Sequence, residues 1–202
     1  MQCLEKEHIA MKSFFSFVVI VMQFCCFSLA FSASFEDTKR AAEQGDAAAQ
    51  NELGLMYDRG KGVTKDYKKA KELYEKAAEQ GLADAQFNLG KIYAFKKGVP
   101  QDFAVARQWW EKAADQGYAK AMMFLGMLDA EGLGAPQDYT RARQWWEKAA
   151  ALGNADAMCS LGILYEYAKG VSYDPAKAKE LYRKACDKGD RVACERYARL
   201  QR

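Results

Sequence analysis

The one imidazole in this chain is His8, and it lies ahead of an uncharged apolar run rather than beside a nucleophile. Acyl transfer by a Ser-His-Asp or Cys-His set needs a base within hydrogen-bond reach of the attacking atom. Beyond residue 33 the chain supplies no histidine for that role. The serines there are Ser34, Ser160 and Ser172, and none begins the S-x-x-K spacing of the serine β-lactamases. A histidine metal ligand is excluded on the same ground, so no metal is expected. Residues 60–66, "GKGVTKD", set glycines near lysines without the spacing of a phosphate-cradling loop. No cofactor is expected either. The numerous carboxylates read as solvated helix faces, and the chain reads as a non-enzyme.

Sulfur chemistry remains. Cys3, Cys25 and Cys26 precede residue 34, whereas Cys159, Cys186 and Cys194 follow it. Cys186 and Cys194 flank Gly189-Asp190. With one helix ending at the first cysteine and another holding the second, a tight turn brings the two side chains together. A Cys186–Cys194 disulfide is therefore expected, with two reduced buried thiols as the alternative. So short a loop contributes about 2–3 kcal/mol in the chain-entropy model. Such a bond belongs to an oxidising compartment.

The N-terminus agrees with that compartment. From Met11-Lys12 the chain reads "MKSFFSFVVIVMQFCCFSLAFSA", a positive start, an apolar run and then small residues. This is the layout of a secretory signal. Cleavage fits after Ala30 or after Ser32, and Met11 suits the start better than the acid-bearing residues 1–10. Residues 1–33 are thus expected to be a signal peptide and residues 34–202 the mature domain. The protein is then bacterial periplasmic or secreted. The alternative is a membrane anchor, because Phe14 to Ala33 is an uncharged run long enough to span a bilayer. With 30 basic and 27 acidic residues the formal charge is +3, too balanced for a nucleic-acid partner.

What must position these groups is a repeat. "ARQWWEKAA" occurs at 106–114 and again at 142–150, a spacing of 36. Gly45, Gly81, Gly117, Gly153 and Gly189 keep that spacing. So do Leu53, Leu89, Leu125 and Leu161, each followed by glycine. Asp66, Asp102, Asp138 and Asp174 form a third ladder, Ala70, Ala106, Ala142 and Ala178 a fourth, and Lys76, Lys112, Lys148 and Lys184 a fifth. A fixed period of this size marks a stacked architecture. Each unit reads as two helices. Helices are predicted near 46–58, 66–79, 82–95, 102–115, 118–131, 138–151, 154–167 and 174–187. A partial helix near 35–44 precedes them and a last one near 190–200 follows. The aspartate ladder supplies N-caps for the second helix of each pair, and glycines end the helices. Glycine inside a helix costs about 1 kcal/mol against alanine, so Gly54, Gly90, Gly126 and Gly162 imply close backbone approach by a neighbouring helix. The tryptophan pairs Trp109-Trp110 and Trp145-Trp146 align with Leu73-Tyr74 and Leu181-Tyr182. All are large and apolar, as packing between units requires.

These ladders resemble the Sel1-like repeats, relatives of the tetratricopeptide repeats. In the first unit the matching residues are Ala49, Leu53, Gly54, Tyr57, Gly60, Gly62, Val63, Asp66, Lys69, Ala70, Lys76, Ala77, Ala78 and Gly81. The match runs over about residues 37–200. Asp129 departs from the tyrosine, Lys96 and Ala168 from the first loop glycine, and Leu73 and Leu181 from the tryptophan. The resemblance implies an all-α fold, an α/α solenoid forming a right-handed superhelix of four helix-pair repeats with partial flanking helices. It also implies an adaptor without catalytic turnover. The cysteine pair further resembles the cysteine-rich Sel1-like proteins of Helicobacter, some of which bind or hydrolyse β-lactams. Those bridge every repeat, while Ala78, Ala114 and Ala150 stand at the positions matching Cys186. A β-lactamase or penicillin-binding protein is accordingly the runner-up. A membrane-anchored adaptor of a secretory compartment is a third reading.

A partner is expected on the concave face, which the first helices of the pairs line. Positions that vary between units are freer to meet it. They are Asn51, Phe87, Met123 and Cys159 at one register, Leu55, Lys91, Met127 and Ile163 at the next, and Arg59, Phe95, Glu131 and Tyr167 at the third. The candidate binding residues are Phe87, Lys91, Phe95, Met123, Met127, Cys159, Ile163 and Tyr167. They suit a protein or peptide partner, with curvature burying the stripe inside the molecule as the alternative. Cys159 would be a free thiol within it.

Overall fold

The structure, a computed structural model, describes residues 35–95 and 98–201. The expected leader and Lys96 lie outside the described residues. Ten helices are present among them: α1 over 35–43, α2 Ala47–Arg59, α3 Tyr67–Glu79, α4 Ala83–Ala94, α5 Phe103–Asp115, α6 Ala119–Glu131, α7 Tyr139–Ala151, α8 Ala155–Glu166, α9 Pro175–Asp187 and α10 Arg191–Arg199. Helices α2, α4, α6, α8 and α10 form the A row, and α1, α3, α5, α7 and α9 form the B row. From α2 onward each A helix packs most on the B helix that follows it, and each B helix then packs on the next A helix. The chain is an all-α solenoid of helix pairs. No helix among the described residues is long and apolar enough to cross a membrane.

The aspartate ladder does what its spacing predicts. Asp66 Oδ1 accepts the Lys68 and Lys69 backbone N–H groups, both at 3.0 Å, and Asp102 takes those of Ala104 and Val105 at 2.9 Å. Asp138 and Asp174 repeat the cap on α7 and α9, with Pro175 at the first helical position. Orphan donors at four helix starts are satisfied this way, each cap contributing about 1 kcal/mol. Two A helices, α2 and α6, end in a left-handed glycine, Gly60 and Gly132 at φ 69°, and Ala168, just past the end of α8, adopts φ 54°. Ala168 follows the glycine geometry without being glycine, so the departure in sequence leaves the turn unchanged at some backbone strain.

The ladder of helical glycines serves a different neighbour from the one expected. A Cβ on Gly90 would lie 2.5 Å from Trp110 Cδ1, one on Gly126 2.6 Å from Trp146 Cδ1, and those on Gly54 and Gly162 2.7 and 2.6 Å from the Cε1 atoms of Tyr74 and Tyr182. The approach is by an aromatic ring of the paired B helix, not by backbone. The ring needs that room because its indole N–H also reaches the A helix. Trp110 Nε1 donates to the Phe87 carbonyl at 3.1 Å, and Trp146 Nε1 to that of Met123 at 3.0 Å. Trp110 is fully buried, Trp146 nearly so. The preceding tryptophans are only partly buried. Trp109 and Trp145 lie across the B row, each with a lysine ammonium above its ring, Lys112 at 4.1 Å and Lys148 at 4.6 Å from the centroids.

Two further arrangements join successive units. Gln80 Nε2 donates to Gln50 Oε1 at 2.8 Å, and Gln116 Nε2 to Gln86 Oε1 at 2.9 Å. Gln50 and Gln86 in turn donate to the Ala42 and Ala78 carbonyls. In the later units Met122 and Met158, both buried, take the register of Gln50 and Gln86, while Leu152 and Lys188 take that of Gln80 and Gln116. Asp129, fully buried, stands where the other units have Tyr57, Tyr93 and Tyr165. It pairs with Arg107 Nη2 at 2.9 Å and Arg141 Nη2 at 3.1 Å. A buried carboxylate requires such cations, because desolvation costs several kcal/mol per ion.

Candidate functional site

Helical periodicity on the A row brings the three variable registers onto one side, but burial divides them. Met123, Met127 and Ile163 are partly exposed and line a cavity of about 210 Å³ between α6 and α8. Its other walls include Tyr139 and Trp146 from α7, and Glu131 and Lys169 stand at its edge. The Lys169 ammonium lies 5.5 Å from the Tyr139 ring centroid. The lining is mainly apolar with one charge of each sign, which suits a hydrophobic side chain rather than a charged metabolite. Phe95 and Tyr167 are about half exposed, near the ends of α4 and α8.

Phe87 and Cys159 do not belong to the outward set. Phe87 is 7% exposed and forms part of the core. Its ring packs against Tyr118 at 5.1 Å and Phe124 at 5.6 Å, centroid to centroid. Lys91, with its ammonium 5.5 Å from the Phe87 centroid, covers that ring from outside. Cys159 is free but buried. Burial, with the nearby Asp190 charge, pushes its thiol up to about 12, so it is protonated at neutral pH and a poor nucleophile. Burial at this register is therefore unit by unit, since Asn51 and Met123 at the same register stay partly exposed.

Phe124 is the residue that sequence reasoning missed. It packs between Trp110, at 4.9 Å, and Phe95, at 6.1 Å. Its equivalents are Glu52, Asn88 and Ser160, so the ladder reads as polar surface. The lone aromatic in that ladder was the available signal. It ties exposed Phe95 to the core between α4 and α6.

At the C-terminal end Cys186 and Cys194 form a disulfide, with their Cα atoms 4.6 Å apart. It joins α9 to α10 across the Gly189 turn. Glu166 supports the same helix. It accepts from the Tyr182 phenol at 2.6 Å and the Arg196 guanidinium at 3.1 Å, and it pairs with Arg199. Burial alone would raise the Glu166 carboxyl. The Tyr182 hydrogen bond and the two guanidinium groups outweigh it and hold the carboxyl below its ordinary range. Among the described residues no group of three or more His, Cys, Asp and Glu side chains could hold a metal ion. Ser160 also lines the A-row cavity, with its hydroxyl donated to the Asp156 carbonyl at 2.9 Å.

Comparison with known proteins places this architecture. The Sel1 repeat model matches residues 47–82, 83–118, 119–154 and 155–190. A Sel1 repeat protein from Oxalobacter formigenes is 34% identical, with TM-score 0.74, over 82% of this chain and 74% of that one. A protective antigen of uropathogenic Escherichia coli strains, displaying an SLR fold, is 39% identical with TM-score 0.76. That match covers 79% of this chain, which spans about a third (34%) of the antigen. Cysteine-rich protein B of Helicobacter pylori is 28% identical with TM-score 0.52, over 67% of this chain and 98% of that one. No curated protein matches. Four contiguous matched units, together with the helix pairs and capping ladders above, establish that the chain belongs to the Sel1 repeat family.

Proposed function

We propose that this protein is an exported, non-enzymatic scaffold that holds a protein or peptide partner on its A-row face. Sel1 repeat proteins generally act through protein–protein contacts. The observation that carries the finer reading is the cavity between α6 and α8, where Met123, Met127 and Ile163 stay accessible while their neighbours are buried. Methionine surfaces adapt to apolar side chains of varied shape. Lys91, Phe95 and Tyr167 extend the surface along the row. A helix or extended segment with spaced apolar anchors fits such a groove. Export is supported by the leader-like N-terminus and by the disulfide, which an oxidising bacterial periplasm or exterior would maintain.

The test is an affinity pull-down with the native chain and with Met127→Asp and Ile163→Asp. Loss of one partner at unchanged helicity supports the A-row site, and retention of every partner removes it. Mass spectrometry of the exported protein reads export itself, since an intact N-terminus would mean an anchor. The cysteine-rich Helicobacter relative keeps a β-lactam activity as the second reading. Turnover of nitrocefin that disappears with Cys186→Ala would favour it over the scaffold.

A further inference from the structure

At the register of Trp109 and Trp145 the first repeat carries a smaller side chain, and a groove opens there. Trp109 packs against the core that contains Ala78 and Leu89, under Lys112. Trp145 holds the equivalent place in the third unit, under Lys148. In the first unit the corresponding residue is Leu73, and Lys76 corresponds to Lys112 and Lys148. The space between α1 and α3, floored by α2, is a cavity of about 230 Å³. Leu53, Tyr57 and Leu73 make its apolar surface, and Lys39, Lys69 and Lys76 stand around it.

A leucine at this register does not by itself leave a groove. In the fourth unit Leu181 is 9% exposed and belongs to the core, and Lys184 turns to Glu180 at 2.5 Å. In the first unit Leu73 is only partly buried and the groove stays open. The acids Glu43 and Glu72 also line it and Lys69 pairs with Asp66 at 3.9 Å, so Lys39 and Lys76 are the cations the groove offers to a ligand. Lys69 already sits 5.3 Å from the Tyr57 ring centroid, which keeps one cation against an aromatic floor. An aromatic ring beneath an ammonium is what the same chain builds twice in the adjoining units.

We propose that this groove is a second binding site, which takes an aromatic side chain carried by an acidic segment of a partner protein. The ring lies over Leu73 and under the Lys76 ammonium, as Trp109 lies under Lys112. A carboxylate flanking the ring pairs with Lys39. The site is on the B row at the N-terminal end, so it stands or falls separately from the A-row face.

The probe is N-acetyl-L-tryptophan, which carries both the indole and the carboxylate, titrated into the isotope-labelled protein and followed by NMR. N-acetyl-L-leucine is the control. Saturable shifts are expected at the amides of Leu53, Tyr57, Leu73 and Lys76, with weaker binding of the leucine compound. Leu73→Trp fills the groove from within, and it should abolish the shifts while raising the melting temperature. Lys76→Gln changes only an exposed side chain and should weaken binding about three- to tenfold. Shifts that do not saturate, that are equal for the leucine probe, or that survive both substitutions overturn the proposal. So does a dimer in light scattering that Leu73→Trp converts to monomer, since the occupant would then be a second copy of the chain.

Discussion

Gly90→Ala is the sharpest test of the packing. On an exposed helix this substitution stabilises by about 1 kcal/mol, because alanine is the better helix former. Here the added methyl would lie 2.5 Å from Trp110 Cδ1, about 1 Å inside ordinary contact distance. Trp110 is fully buried and cannot retreat freely. Phe124 lies 4.9 Å away on centroids, and the indole N–H is held by the Phe87 carbonyl at 3.1 Å. Overpacking costs about 1–3 kcal/mol. Losing the hydrogen bond of a buried N–H adds about 1–3 kcal/mol where the ring moves far enough. The net is a loss of about 1–5 kcal/mol, with its centre near 3. For a chain of this size that lowers the melting temperature by about 6–12 °C. Urea titration followed by circular dichroism measures it. A double-mutant cycle with Trp110→Ala checks the cause. With the indole removed, the added methyl has room, and Gly90→Ala should turn stabilising by about 1 kcal/mol. A Gly90→Ala protein as stable as the parent, or a cycle without coupling, would refute the account of these glycines.

Three further outcomes follow from the ends of the solenoid and from one turn. Reducing the Cys186–Cys194 bond should cost about 2–3 kcal/mol and loosen α10 before the other helices, read as faster amide exchange across Arg191–Arg199. Glu166 has a folded pKa below its unfolded one. Its contribution is therefore complete above the unfolded carboxylate pKa, near 4.3, and is lost as pH falls through the lower folded value. Glu166→Gln should flatten that acid limb, and an unchanged limb would dismiss the network. Ala168→Gly should stabilise by about 1 kcal/mol, since it releases a left-handed alanine at φ 54°, and a loss of stability would contradict that strain.

The features legible in the sequence are those written several times over. The period, the helix pairs, the aspartate caps and the bulky pair that packs between units each recur in register. Repetition separates them from noise. The Cys186–Cys194 bond was legible for another reason: a turn of known length fixes the distance between two cysteines. Single-copy features escaped. Phe87 shares a register with Asn51 and Met123, and nothing in that register says that its ring turns inward onto Tyr118 and Phe124. The glycine ladder was visible, but its cause was misassigned. Sequence shows that a Cβ is refused without showing whether a backbone or a ring refuses it.

Asp129 shows how one departure reshapes its surroundings. A tyrosine at this register in the other units leaves its outer end partly exposed, as Tyr57, Tyr93 and Tyr165 do. Aspartate carries a charge instead, and Arg107 of α5 and Arg141 of α7, at registers that are basic in other units too, pair with it. Arg141 also contacts its own N-cap, Asp138, and the Pro136 carbonyl. One carboxylate thereby links α6 to the B helices on both sides of it, and to the turn that enters α7. Removing it by Asp129→Ala should cost about 3 kcal/mol, because Arg107 loses its partner in a nearly buried place while the half-exposed Arg141 keeps Asp138 and water. Asp129→Tyr restores the ring of the other units, where Tyr93 lies under Lys71 at the register of Arg107 and Tyr165 shares its unit spacing with Arg143, so it should recover part of the stability that Asp129→Ala loses. The three residues act as a set across the second and third units, in contrast to the caps, each of which acts within one helix start.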